Sequence, residues 1–215
     1  MAHETARAAS RKLRSIQTAD AASLAEYYDG WARSYDEDLE DLGYEAPQRA
    51  AGLLKAHGIT ATARILDACC GTGLTGRRLA EAGFEHVDGF DISEASLDEA
   101  RTVAAYDRLF RQDMNDPLQA PDGAYDAVVC IGSMTYAERP EQILREFCRV
   151  ARPGGLVLFT QRTDYWSDDF ADVLRRLEEA GLWQTLERTE PQPYLPRHPE
   201  FADAIKVVYA VFRVV

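Results

Sequence analysis

The stretch from Ile65 to Leu79, ILDACCGTGLTGRRL, sets the terms for the whole chain. An apolar run, Ala63 to Ala68, carries Asp67 near its end. It breaks at Gly71-Thr72-Gly73 and continues into a predicted helix, Leu74 to Ala82. Strand, glycine turn, helix is how a doubly wound α/β sheet holds a nucleotide-like ligand at the carboxyl ends of its strands. Glycine lets a ligand approach the backbone because no Cβ intervenes. The helix N-terminus adds free N–H groups and partial positive charge.

Two ligands compete for this turn. Gly71, Gly73 and Gly76 fit G-x-G-x-x-G, and Asp91 lies 20 residues after Gly71, ending the apolar run from His86. By spacing alone that is the fingerprint of a nicotinamide dinucleotide, hence of an NAD(P)-dependent oxidoreductase. The rival is S-adenosylmethionine (SAM), which has an adenosine but no pyrophosphate, and whose amino acid end carries an ammonium. Asp67 suits an ammonium, directly or through water, and would repel a pyrophosphate. The choice therefore tilts to SAM. The oxidoreductase reading is further weakened by the long segment ahead of the first strand and by the absence of Tyr-x-x-x-Lys.

After the glycine turn the pattern alternates: strand 86–91, helix 94–104, strand 107–112, strand 125–131, helix 140–151, strand 156–161, helix 167–180. Strands near 183–188 and 204–213 close the chain around a proline-rich break, Pro191 to Pro199. Such alternation predicts a parallel sheet with helices on both faces. A last strand reached without a helix predicts an antiparallel hairpin at the sheet edge. Ahead of the alternation, helices are predicted over 23–33 and 47–57, with the acidic run Asp36 to Asp41 between them. Residues 1–22 read as a tail and 23–215 as one domain, 23–60 forming a helical cap.

LDACCGTG resembles the D-x-G-x-G-x-G motif of class I SAM-dependent methyltransferases, with Asp67, Cys69, Gly71 and Gly73 in its four fixed places. VDGFDIS and RQDMND resemble the second and third motifs, and YDAVVCIGSMTY and RPGGLVLFTQR the fourth and fifth strands. The resemblance covers roughly Ala25 to Val215. DACCGTGLTG, DAVVCIGSMTY, DYW at Asp164 and PYLP at Pro193 look most like the Williams-Beuren-region methyltransferase-like family. It implies a Rossmann-like seven-stranded sheet in the order 3-2-1-4-5-7-6. It also implies Asp91 on the ribose hydroxyls, Ile92 on one adenine face, Asp113 on the adenine amino group and Met114 lining the ring. For Asp113 the rival reading is a turn residue, with Asp116 as the acid that contacts adenine. Ile131 falls at the fourth strand end. In similar methyltransferases a Y-D-x-x-A-x-x-Y-D pattern covers the methionine end; Tyr28-Asp29, Ala32 and Tyr35-Asp36 fit it. Tyr28, Trp31, Tyr35 and Tyr44 are therefore candidate cofactor contacts, against the plainer reading that they only pack the cap.

Methyl transfer from a sulfonium is an in-line displacement with a neutral leaving group. Positioning the nucleophile is the main requirement, and a base is needed only for a protonated, weakly acidic acceptor. Tyr136, Arg162, Asp164 and His198 are the candidates for such roles. Each has a plainer alternative: a helix-start aromatic, an Arg162–Asp164 pair, a surface histidine. The Asn/Asp-Pro-Pro-Tyr motif of base N-methyltransferases is absent; the residues there are Ile131 to Tyr136. A net charge of −12 argues against nucleic acid and anionic membranes. Four cysteines without metal spacing read as reduced thiols, and no metal site is expected. With no apolar stretch long enough for a membrane span, the expectation is a cytoplasmic enzyme that moves a methyl to an oxygen or nitrogen of a small molecule. A homodimer and a non-catalytic SAM-binding role both stay open.

Overall fold

In a computed structural model of the chain, residues 21–215 are described. The expectations for the tail 1–20 lie outside them. Helix α1 (Ala21–Asp41) and helix α2 (Ala46–Ala56) precede the alternating core. The core runs β1 (Arg64–Ala68), α3 (Leu74–Glu81), β2 (His86–Asp91), α4 (Glu94–Thr102), β3 (Arg108–Arg111) and β4 (Tyr125–Cys130). It continues with α5 (Pro140–Val150), β5 (Ala151–Arg162), α6 (Asp168–Glu179), β6 (Trp183–Arg188), β7 (Gln192–Pro193) and β8 (Lys206–Val214).

The sheet order is β3-β2-β1-β4-β5-β8-β6, with the two-residue β7 added along β8. Strands β1 to β5 pair in parallel, and β8 runs antiparallel to both β5 and β6. This is the expected order; the last long strand is numbered eight only because the short β7 precedes it. Successive strand residues face opposite layers. Thus Leu66 packs with Phe90, Val128 and Phe147 on one side, while Ile65 packs with Leu54, Leu79 and Val87 on the other. Both layers are closed to water, so the strands read as continuous apolar runs.

Two elements differ clearly from the sequence reading: β5 starts at Ala151 rather than at 156, and α1 is longer than predicted. The acidic run Asp36 to Asp41 is the last part of α1, not a connector. Its apolar members explain this. Leu39 and Leu42 join Trp31 in a third buried cluster with Leu195, Phe201 and Ile205. Asp38 turns inward and accepts hydrogen bonds from Trp31 Nε1 (2.7 Å) and Ser34 Oγ (3.2 Å), so its burial is compensated. This cluster ties α1 to the segment ahead of β8. The helix is thereby laid across the carboxyl ends of the strands.

Candidate functional site

A cavity opens at the carboxyl ends of β1, β2 and β4. Its floor is the glycine turn, where Cys69, Gly71 and Thr72 meet Asp91 and Ile92. Gly71 has φ +54, and a Cβ there would meet nothing within 4 Å, so the turn leaves open room. Cys69 also lies in the left-handed region (φ 58), a strained place for a non-glycine residue, at the first position where the resembled motif has glycine.

Asp91 is 8% exposed. One carboxylate oxygen accepts from Gly71 N–H (2.8 Å) and the other from Ser93 N–H (2.9 Å). Those bonds hold the group in one orientation. Burial nonetheless raises its pKa above the ordinary carboxylate value. A carboxylate has room for about four hydrogen bonds, so acceptor sites remain for a diol. Asp113 lines the cavity too, and its Oδ1 accepts from the backbone and side-chain nitrogens of Asn115 (2.8 and 3.0 Å). Asp113 thus lines the cavity while its side chain closes a local turn. Met114 and Ile131 are buried walls. Asp116 is exposed and faces a separate shallow depression.

Tyr28, Tyr35 and Tyr44 form the roof. The roof helix is pinned by two acids. Asp36 accepts from Thr72 Oγ1 in the glycine loop and from Arg77 Nη2 (3.1 Å) on α3. Asp29 accepts from Ser93 Oγ and from Ala95 N–H (3.2 Å) at the start of α4. In the sequence these acids are only members of the tyrosine-aspartate pattern; their latching role appears with the fold. Asp36→Ala should therefore loosen the roof and weaken binding of S-adenosylhomocysteine about tenfold, the worth of one hydrogen bond to a charged group. Calorimetry alongside a thermal melt reads it, and unchanged affinity would mean that the latch does not govern the site.

Several candidates lie elsewhere. Trp31 and Gly73 do not line the cavity; Trp31 belongs to the α1 cluster and Gly73 caps α3. Arg162 and Asp164 pair with each other (2.6 and 3.0 Å), outside the cavity walls. His198 is fully buried rather than on the surface. Its Nδ1 accepts from the Glu200 and Phe201 N–H groups (both 3.1 Å), and its ring stacks on Phe201 at 4.1 Å. That nitrogen is committed to the backbone, so His198 is not placed to act as a base here. Tyr136 does line the cavity and accepts from Tyr28 Oη at 2.9 Å.

Asp67 sits behind the glycine turn, 1% exposed, and is separated from the cavity by the turn residues that line it. Its Oδ2 accepts from Tyr106 Oη at 2.7 Å, while Oδ1 is buried with no hydrogen-bond partner. Burial pushes its pKa up to about 7, against the lowering effect of the Tyr106 bond. An unpartnered buried carboxylate oxygen suits an ammonium. Moreover, the cavity walls include Asp91, Asp113 and Glu138 but, among the described residues, no Lys, Arg or His. Such walls fit a cationic ligand with a ribose and repel a pyrophosphate.

The sheet order, the glycine turn and this cation-favouring cavity define a Rossmann-like protein built for SAM rather than for a dinucleotide. Residues 65–155 match the methyltransferase domain family. Human methyltransferase-like protein 27 is 36% identical over 174 residues, spanning 78% of this chain and 71% of that protein. A ubiquinone biosynthesis O-methyltransferase of Neisseria meningitidis is 30% identical over 102 residues, 45% of this chain and 43% of that one. The methyltransferase bound to the Haloferax volcanii Trm112 activator shares the fold (TM-score 0.68, 19% identity, 87% of this chain and 97% of that chain). The chain belongs to the class I SAM-dependent methyltransferases, and its cofactor is SAM.

Proposed function

We propose that this methyltransferase acts on an oxygen or nitrogen of a small molecule held beneath the α1 tyrosines, and that it groups with the Williams-Beuren-region methyltransferase-like proteins. The observation that carries the first part is the shape of the cavity. Beyond Asp91 and Met114 it continues to Gly132, Ser133 and Tyr136, under Tyr28 and Tyr44. Helix α1 crosses above it, where a polymer chain would need an open trough. The ubiquinone biosynthesis enzyme supports the small-molecule class, since ubiquinone is a small molecule. The human protein supports the narrower grouping.

SAM supplies an electrophilic methyl on a sulfonium. The chain's part is to seat both partners and exclude water. Asp91 would hold the ribose, Asp113, Met114, Ile92 and Ile131 the adenine, and Asp67 the ammonium. Tyr28, Tyr35, Tyr44 and Cys69 would close over the methionine end. The linked hydroxyls of Tyr28 and Tyr136 form a polar spot on the cavity wall. Burial raises the pKa of both, Tyr28 more than Tyr136. They thus stay protonated at neutral pH and serve as hydrogen-bond groups that orient an acceptor, not as bases.

The test is a screen of small phenols, carboxylic acids and amines, following formation of S-adenosylhomocysteine. With any acceptor found, Tyr136→Phe should raise its KM about tenfold and leave cofactor affinity unchanged. Turnover on a peptide or nucleic acid, with none on small molecules, would overturn the reading.

A further inference from the structure

Tyr106 is absent from every motif, yet it packs on Gly76 and Gly89 and bonds to Asp67. Its ring lies over two glycines. A Cβ on Gly76 would stand 2.3 Å from Tyr106 Cζ, and one on Gly89 would stand 2.8 Å from its Cε1. The ring therefore occupies a slot that only glycines leave open, between the start of α3 and the middle of β2. Its hydroxyl accepts from Gly76 N–H (3.1 Å) and donates to Asp67 Oδ2 (2.7 Å). The phenol thus satisfies an otherwise free amide of the helix N-terminus and fixes one oxygen of Asp67. The second oxygen is left buried and unpartnered.

We infer that Tyr106 is a positioning residue for the cofactor: it holds Asp67 by one oxygen so that the other is presented, already oriented, to the ammonium of SAM. The inference rests on reading Asp67 as the ammonium partner. An oriented carboxylate loses less freedom on binding than one that must turn. The charged groups around Asp67 make the device sensitive to pH. Among the described residues, Asp91 on β2 and the neighbouring Cys70 thiol are the other titratable groups that face it, with no cation, and the Tyr106 hydroxyl favours its ionised form. With a pKa near 7, Asp67 gains charge as the pH rises through neutrality. Affinity for an ammonium-bearing ligand should rise over the same range.

The experiment is calorimetric titration of wild type, Tyr106→Phe and Asp67→Asn between pH 5.5 and 8.5. Two probes are used: S-adenosylhomocysteine, which carries the ammonium, and methylthioadenosine, which has the adenosine and lacks it. Tyr106→Phe keeps the ring in its slot, and a thermal melt confirms the fold. The expected result is about a tenfold loss for S-adenosylhomocysteine at neutral pH, one hydrogen bond to a charged group. The acid limb should move to higher pH, and methylthioadenosine binding should be unchanged. Equal loss for both probes would make Tyr106 a purely structural residue and overturn the inference. Wild-type affinity in Tyr106→Phe, with loss in Asp67→Asn, would overturn it while leaving Asp67 as the ammonium partner. Wild-type affinity in Asp67→Asn would remove that partner, and the inference with it.

Discussion

Asp91→Ala should lower the affinity for SAM about a thousandfold. The carboxylate spends one hydrogen-bond site per oxygen on the Gly71 and Ser93 amides. The remaining sites suit two vicinal hydroxyls. Two hydrogen bonds to a charged acceptor are worth about 2 kcal/mol each, and about 4 kcal/mol corresponds to three decades in Kd. Asp91→Asn separates orientation from charge. It can still accept an amide hydrogen but offers the ribose one acceptor oxygen fewer, so its loss should fall between wild type and Asp91→Ala. Titration with SAM and NADH side by side reads both questions. Undiminished SAM binding by Asp91→Ala would take the ribose role away from this residue, and NADH binding by the wild type would contradict the cation-favouring walls.

The order of elements was legible because each strand end is punctuated. Strand β2, His86–Asp91, has the bounds the sequence predicts, since its buried run ends at a strand-end acid, and β1 ends at Ala68, where the apolar run meets the glycine turn. The far end of α1 was not legible. Asp36 to Asp41 looks like a solvated connector until Trp31 and Ser34 are seen to satisfy Asp38 and Leu39 to pack inward. The cavity walls from the second to the fourth motif lie together, because each motif ends a neighbouring parallel strand. His198 shows the opposite limit. Its proline-rich surroundings suggest exposure, but its nitrogen is taken up locally by the Glu200 and Phe201 amides and its ring is buried against Phe201. Tyr106 left no periodic or motif signal, because its partners Asp67, Gly76 and Gly89 are distant in sequence and meet it through packing alone.

Gly76 is where the sequence supplied a wrong reason for a right residue. By spacing it completes the dinucleotide fingerprint, yet it sits inside α3, where glycine is intrinsically less stable than alanine by about 1 kcal/mol. The Tyr106 ring explains it, since a Cβ would lie 2.3 Å from Cζ and 2.4 Å from Oη. Gly76→Ala should then destabilise the protein by about 3 kcal/mol, the upper end for overpacking a core, or about 10 °C in Tm for a chain of this size. The ring cannot simply swing aside. Leaving its slot would strip Asp67 Oδ2 of the Tyr106 hydroxyl and expose the space over Gly89. S-adenosylhomocysteine affinity should fall together with stability. The decisive comparison is Gly76→Ala in a Tyr106→Ala background. With the ring gone the clash is gone, and only helix propensity remains, so the same substitution should now stabilise by up to about 1 kcal/mol. Such a change of sign is a direct coupling between two residues in contact. If Gly76→Ala is equally harmful in both backgrounds, something other than Tyr106 requires the glycine.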